Sequence, residues 1–215
     1  MVELYPAPWE LEGKGYIIIY KFNKVFVDKY CYVPEFLRGS FAGGFGSVMV
    51  VDYESSDAGP YGELLFMPGK FHHDDGKFNT ITKIYVSTME SVVNGKENWG
   101  IPKELAAFNF KEVGENKDQI IVSREDEIIA KFLFSSYGLP FPLNTTLIPF
   151  HLVQYHEGKY YYTDFKGKGT AQLSKMEGIV VNEQLFPDVS LFKPVLIIKV
   201  DPFSIEFPEA EIKCR

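Results

Sequence analysis

Lys103 is the residue whose type and setting point most directly to chemistry. It lies in the run Gly95-Lys-Glu-Asn-Trp-Gly-Ile-Pro-Lys-Glu-Leu-Ala-Ala-Phe108. A lysine ammonium is strongly hydrated and almost never fully buried unless paired. Yet Trp99, Ile101 and Pro102 precede this one, and Leu105, Ala106, Ala107 and Phe108 follow it. An amine held among apolar groups loses hydration in its charged form, so its pKa falls and the free amine becomes a nucleophile at neutral pH. The reaction open to such a group is attack on a carbonyl to form a Schiff base.

Short strands separated by turn signals must position it. Residues 15–26 read as a strand, because Tyr16, Ile17, Ile18, Ile19 and Tyr20 form an apolar run rich in β-branched side chains. Residues 24–34 continue irregularly. Residues 47–53 and 63–67 read as two further strands. Residues 71–88 read as a hairpin, with Asp75-Gly76 as its turn dipeptide. Ser87 or Thr88 is suited to cap a short helix over 89–93, with Gly95 past its end. Pro102 is suited to the first position of another helical turn running through Lys103 to Phe108. A lysine there would meet the positive end of the helix dipole, which also favours free amine. Strands are expected over 119–123, 128–135, 147–155 and 159–164, and 195–200 closes the series. Many short strands with few helices suggest a barrel or a sandwich.

The 215 residues contain no linker, low-complexity tract, internal repeat or like-charge block, so a single domain over 1–215 is expected. A formal net charge of -7 argues against a nucleic-acid or anionic membrane partner. Cys31 and Cys214 stand far apart and suit a reducing compartment. No signal pattern or apolar spanning run is visible, so a cytoplasmic location is expected. Aromatic residues make up 16% of the chain, which suits a well-filled β-rich core.

Taken together, several segments resemble the acetoacetate decarboxylase superfamily. They are Pro6-Ala-Pro-Trp-Glu-Leu-Glu-Gly-Lys-Gly-Tyr16, Gly59-Pro-Tyr-Gly-Glu-Leu-Leu65 followed by Pro68-Gly69, Ile81-Thr-Lys-Ile-Tyr-Val-Ser-Thr88, Trp99-Gly-Ile-Pro-Lys103, Leu139-Pro-Phe-Pro142 and residues 203–211. The resemblance implies an α+β, mainly β fold with an antiparallel β-barrel-like core and short flanking helices. It also implies homo-oligomers, and no metal or organic cofactor. It makes Lys103 the Schiff-base lysine, and acetoacetate decarboxylase is itself the standing example of an amine activated in this way.

Other positions follow from the same resemblance. Glu63 falls at an active-site glutamate, where a carboxylate facing the amine would move protons as the carbinolamine forms and loses water. Its bland alternative is a strand residue facing solvent. Lys14 falls where the family has an arginine that contacts the substrate carboxylate, a bidentate grip that lysine cannot reproduce. Asp52 and Glu54 are candidates for a second pocket carboxylate on the preceding strand. Glu104 replaces the second lysine of acetoacetate decarboxylases, which argues against that particular reaction. Trp99, Glu104 and Lys14 form the expected substrate-facing set.

The expected function is a cofactor-independent decarboxylase of acetoacetate or a related small oxo acid. Aldolase-dehydratase chemistry with the same lysine, and a non-catalytic small-ligand binding protein on this fold, are the alternatives. The run His72-His-Asp-Asp75 has metal-ligand residue types, but neighbours on a strand point to opposite faces, so a polar hairpin tip is expected there.

Overall fold

A computed structural model describes residues 2–144 and 150–214. Most of the described residues are in strands, and among them are two sheets and two α-helices. The larger sheet has ten strands in the order β8-β7-β4-β3-β1-β15-β14-β11-β10-β9 and curls strongly into a half-barrel. Its strands are β1 (Trp9–Tyr20), β3 (Gly46–Ser55), β4 (Tyr61–Met67), β7 (Lys83–Val86), β8 (Lys103–Leu105), β9 (Ala107–Gly114), β10 (Lys117–Arg124), β11 (Glu127–Asn144), β14 (Lys166–Val181) and β15 (Leu196–Phe207). The smaller sheet is built from β2 (Phe41–Gly43), β5 (Lys70–His73), β6 (Gly76–Asn79), β12 (His151–His156), β13 (Lys159–Asp164) and β16 (Glu211–Cys214). This is the mainly β architecture with small helices that the sequence implied.

Strand periodicity divides the core in two. On β3, Val48 and Val50 face one way, and Met49, Val51 and Tyr53 face the other. The first face is closed by the curl of the sheet. Ile18, Val48, Val50, Leu64 and Phe66 join Ile120, Val122, Phe132 and Phe134 in one cluster, and Tyr16 stacks on Phe134 at 4.0 Å between centroids. The second face is covered by α2 (Met89–Trp99) and the smaller sheet, in a cluster that includes Trp9, Tyr61, Leu65, Ile84, Trp99 and Leu152. Strand β4 lies between these cores, and all seven of its residues are buried. A charged residue on β4 therefore has no solvent-facing side available, and Glu63 is such a residue.

Several expected elements differ. The first strand runs over Trp9–Tyr20, and the chain then enters α1 (Lys24–Tyr30), not an irregular continuation. Asn23 decides this, because its side chain accepts the Phe26 amide at 2.9 Å and caps the helix. The second helix extends to Trp99. Thr88 caps it, Gly95 lies inside it, and Gly100, with φ of 65°, ends it. The helical turn expected after Pro102 is instead strand β8, paired in parallel with Ile84–Val86 of β7. Ladder pairing outweighs the helical propensity of Lys-Glu-Leu-Ala-Ala, and Lys103 does not sit at a helix N-terminus.

The expected 71–88 hairpin is β5–β6 only, and β7 departs to the larger sheet. The last expected strand continues to Phe207, and β16 follows it. The sixteen-residue β14 opens on the alternation Lys166-Gly-Lys-Gly169 and lay outside the expected strands. Of the strand expected over 147–155, residues 147–149 lie outside the described residues, and β12 covers His151–His156.

Candidate active site

The candidate site is assembled on the outer core face by α2, β4 and β8. Ser91, Gly95 and Trp99 recur at intervals of four on α2, so they form one stripe of the helix. Parallel pairing of β8 with β7 brings Lys103 alongside that stripe. Gly95 makes the close approach possible. A Cβ at that position would lie 2.6 Å from Lys103 Cδ and 2.8 Å from Cε. The lysine stem therefore lies across the helix where no side chain stands.

Both charged groups are almost sealed from water, Lys103 and Glu63 each being 4% exposed. Lys103 Nζ donates to Glu63 Oε2 at 3.0 Å and to Ser91 Oγ at 3.0 Å. It also stands 5.0 Å from the centroid of the Tyr61 ring, whose face is electron-rich. Tyr53 Oη donates to the other carboxylate oxygen, Glu63 Oε1, at 3.2 Å. Burial, and next the Glu63 charge, hold the Tyr53 hydroxyl well above its ordinary pKa, so it stays protonated and remains a donor. Burial and the same charge raise Tyr61 in the same sense. Each oxygen of the carboxylate thus has its own partner, as a buried charge requires.

A cavity of about 60 Å³ opens in front of this pair. Its walls are otherwise apolar, with Leu11, Leu65, Ile84, Ile101 and Phe165 among them. Two tryptophans close one side. Trp9 meets Trp99 edge-on at 5.1 Å, and their indole N–H groups donate to Tyr5 O and Pro208 O. Among the described residues lining the cavity, Lys103 is the one cation and Glu63 the one anion. Such a site can form an imine with a bound carbonyl and pass a proton to and from a carboxylate, away from bulk water. Among the described residues, no group of three or more His, Cys, Asp or Glu side chains is placed to hold a metal ion.

The acetoacetate decarboxylase (ADC) family matches residues 4–140, which include every polar group of this site. The chain belongs to the acetoacetate decarboxylase family. A search of curated proteins gave no match. Among solved structures, acetoacetate decarboxylase from Legionella pneumophila is similar with a TM-score of 0.76 at 14% identity, covering 97% of this chain and 88% of that one. The enduracididine biosynthesis enzyme MppR complexed with pyruvate gives 0.65 at 11% identity, covering 98% and 91%. An acetoacetate decarboxylase-like enzyme from Sphingomonas wittichii RW1 gives 0.66 at 10% identity, covering 98% and 94%. At these identities the structural likeness is one of fold.

Within this family framework, the predicted residues separate into two groups. Lys103, Glu63 and Trp99 meet at the cavity. Lys14 and Glu104 do not line it. Lys14 pairs with Glu54 at 2.9 Å at the surface, where the two side chains are 43% and 61% exposed. Glu104 alternates to the opposite side of β8 from Lys103 and pairs with Lys83 and Arg124. It is therefore not the carboxylate that meets the amine. Asp52 faces away as well and lines a separate polar pocket with Lys14 and Lys199.

On β3, a tyrosine takes the place expected for a second carboxylate. The register sets Val51 opposite Glu63, so residues of odd number on β3 share its face, and among them Tyr53 reaches the Glu63 carboxylate. Sequence reading missed Tyr53 because register is not visible in one strand. It missed Ser91 because a helix over 89–93 ends too early for Ser91, Gly95 and Trp99 to form a stripe.

Proposed function

We propose that this protein is a Schiff-base lyase of the acetoacetate decarboxylase type, acting on a 3-oxo acid. The observation that carries the proposal is the buried Lys103–Glu63 pair facing an otherwise apolar cavity. Lys103 Nζ gives up a proton to Glu63 Oε2 and attacks the ketone carbon, forming a carbinolamine. Glu63 returns the proton to the hydroxyl, water leaves, and a protonated imine remains. The bond to the carboxylate then breaks, its electron pair moves toward the imine nitrogen, and carbon dioxide and an enamine result. Protonation of the enamine carbon and addition of water release the ketone and regenerate the amine. The imine itself supplies the electron sink.

The apolar walls favour the cleavage step, because a carboxylate in that cavity finds little solvation and the departing carbon dioxide is neutral. Tyr53 holds Glu63 in place through Oε1, which leaves Oε2 to serve the amine. Ser91 and Gly95 fix the lysine stem against α2.

Condensation and dehydration of oxo acids is the second reading. It is favoured by Lys14 lying away from the cavity, which leaves no cation besides Lys103 among its described lining residues to hold a carboxylate for decarboxylation. MppR has been crystallised with the condensation product of pyruvate and imidazole 4-carboxaldehyde, and the same early imine would serve both reactions. Borohydride trapping with acetoacetate and pyruvate, read by peptide mass spectrometry, tests the shared step. An adduct on Lys103 is expected, reduced to a propan-2-yl group if decarboxylation precedes trapping. An intact Lys103 peptide in folded protein, with every acid tried, would refute both readings.

A further inference from the structure

The cavity in front of Lys103 has a neighbour. A second apolar pocket of about 70 Å³ lies along the same sheet face, walled by Ile17, Val51, Leu143, Val200 and Phe203 among others. Met49, Tyr53 and Ile205 line both spaces. The two pockets thus share a wall, and two of its three side chains, Met49 and Ile205, are only partly buried. Methionine is unbranched, with freely turning bonds, and adapts to what lies against it. From Glu63 on β4 to Ile17 on β1 the sheet advances by two strands, a distance of ~10 Å.

We propose that the second pocket is a binding site for the apolar tail of the substrate. The inference rests on Lys103 being the group that engages the carbonyl. With the carbonyl at Nζ, the remainder of a linear or aryl-substituted oxo compound passes beneath Met49 and Ile205 and lies over β1 and β15. The occupant is a medium-length alkyl or aromatic chain, for three reasons. The cavity at Lys103 is small and has no described polar group beyond the Lys103–Glu63 pair and the tyrosine and tryptophan side chains. The neighbouring walls are apolar apart from the Tyr53 hydroxyl and the exposed Lys168, since Tyr16 turns its ring to the opposite face and donates its hydroxyl proton to Asp118 there. The two spaces continue one another on one sheet face. A short acid such as acetoacetate would fill only the first.

The test is a chain-length series on the whole protein with two readouts. Methyl ketones from 2-butanone to 2-decanone are titrated by calorimetry, and the corresponding 3-oxo acids are trapped on Lys103 with borohydride. Affinity is expected to rise roughly fourfold per methylene, the transfer value for a buried CH₂, and then level off once the second pocket is full. Ile17→Trp fills that pocket from β1. It is expected to lower the ratio of long-chain to short-chain affinity by about tenfold or more, a loss of two or three methylene increments.

Affinity independent of chain length, or an unchanged ratio in I17W, would overturn the tail site. Pocket cover by a second copy of the chain would give that same flat series. Trapping separates this outcome from failure of the lysine assignment. Short acids trapped on Lys103 beside a flat series refute the tail site alone. A rising series lost in I17W, with no adduct on Lys103, supports the tail site and refutes the assignment of the lysine.

Discussion

Replacing Gly95 by alanine tests whether the helix surface positions the nucleophile. The new methyl would stand 2.6 Å from Lys103 Cδ, where ordinary contact begins at 3.4 Å. The stem must therefore retreat by about 0.8 Å, the difference of these two distances. Backbone on α2 cannot yield easily, since Gly95 sits in mid-helix with Thr88 capping one end and Gly100 the other. The lysine moves instead, and Nζ leaves the positions that give 3.0 Å to both Glu63 and Ser91. A displacement near 1 Å at a reacting group costs about 10²-fold in rate.

Stability changes far less in the same variant. Alanine gains about 1 kcal/mol of helix propensity over glycine. Weakened hydrogen bonds to the ammonium lose about 1.5–3 kcal/mol. The net loss is therefore at most about 2 kcal/mol, and the fold survives. The assay is kcat and the rate of borohydride trapping for G95A beside a thermal melt. A well-folded G95A with unchanged kcat and trapping would refute the claim that Gly95 sets the position of Lys103.

Three further outcomes follow from the same geometry. Glu63→Gln is expected to lower kcat by about 10²–10⁴ through loss of proton transfer, with an equal effect on substrate trapping if carbinolamine dehydration limits it; a tenfold change or less would move that role to another group. Tyr53 and Tyr61 are held protonated in the native state by burial and by Glu63, whereas the unfolded chain titrates near the ordinary value of 10.0. The unfolded state thus releases protons first, so stability is intact below pH 10 and falls as pH rises beyond it, by up to about 1.4 kcal/mol per pH unit for each tyrosine. Thermal melts between pH 9 and 11 read this, and Y53F should flatten the slope; a melting temperature constant to pH 11 would contradict it. Glu104→Gln breaks the partly exposed bridge between Lys83 and Arg124 and should cost about 0.5–1 kcal/mol while trapping on Lys103 stays within about twofold; a large loss of trapping would place Glu104 at the amine after all.

The Lys103 segment stood out in the sequence because a lysine among Trp99, Ile101, Pro102 and Leu105 conflicts with ordinary lysine solvation. Apolar runs with β-branched residues at 15–20 and 47–53 likewise marked strands, because periodicity of side-chain type is a local property. Tertiary structure decided the rest. Whether Lys103 lay on a helix or a strand depended on β7, whose Ile84 pairs with it from nineteen residues earlier, offering an edge for parallel pairing. That pairing sent Glu104 to the far side and Lys103 toward Ser91 and Gly95.

The partner of Glu63 was equally a matter of register. Asp52 and Glu54 are the charged residues of that stretch, yet the pairing of Val51 with Glu63 turns both away and presents Tyr53. Strand β14 opens on a polar, glycine-rich stretch that is held by ladders to β11 and β15 on either side. Side-chain chemistry is written along the chain. Which side chains share a face is set by strand pairing and helix packing across long sequence separations, and a one-residue change of register exchanges the two faces.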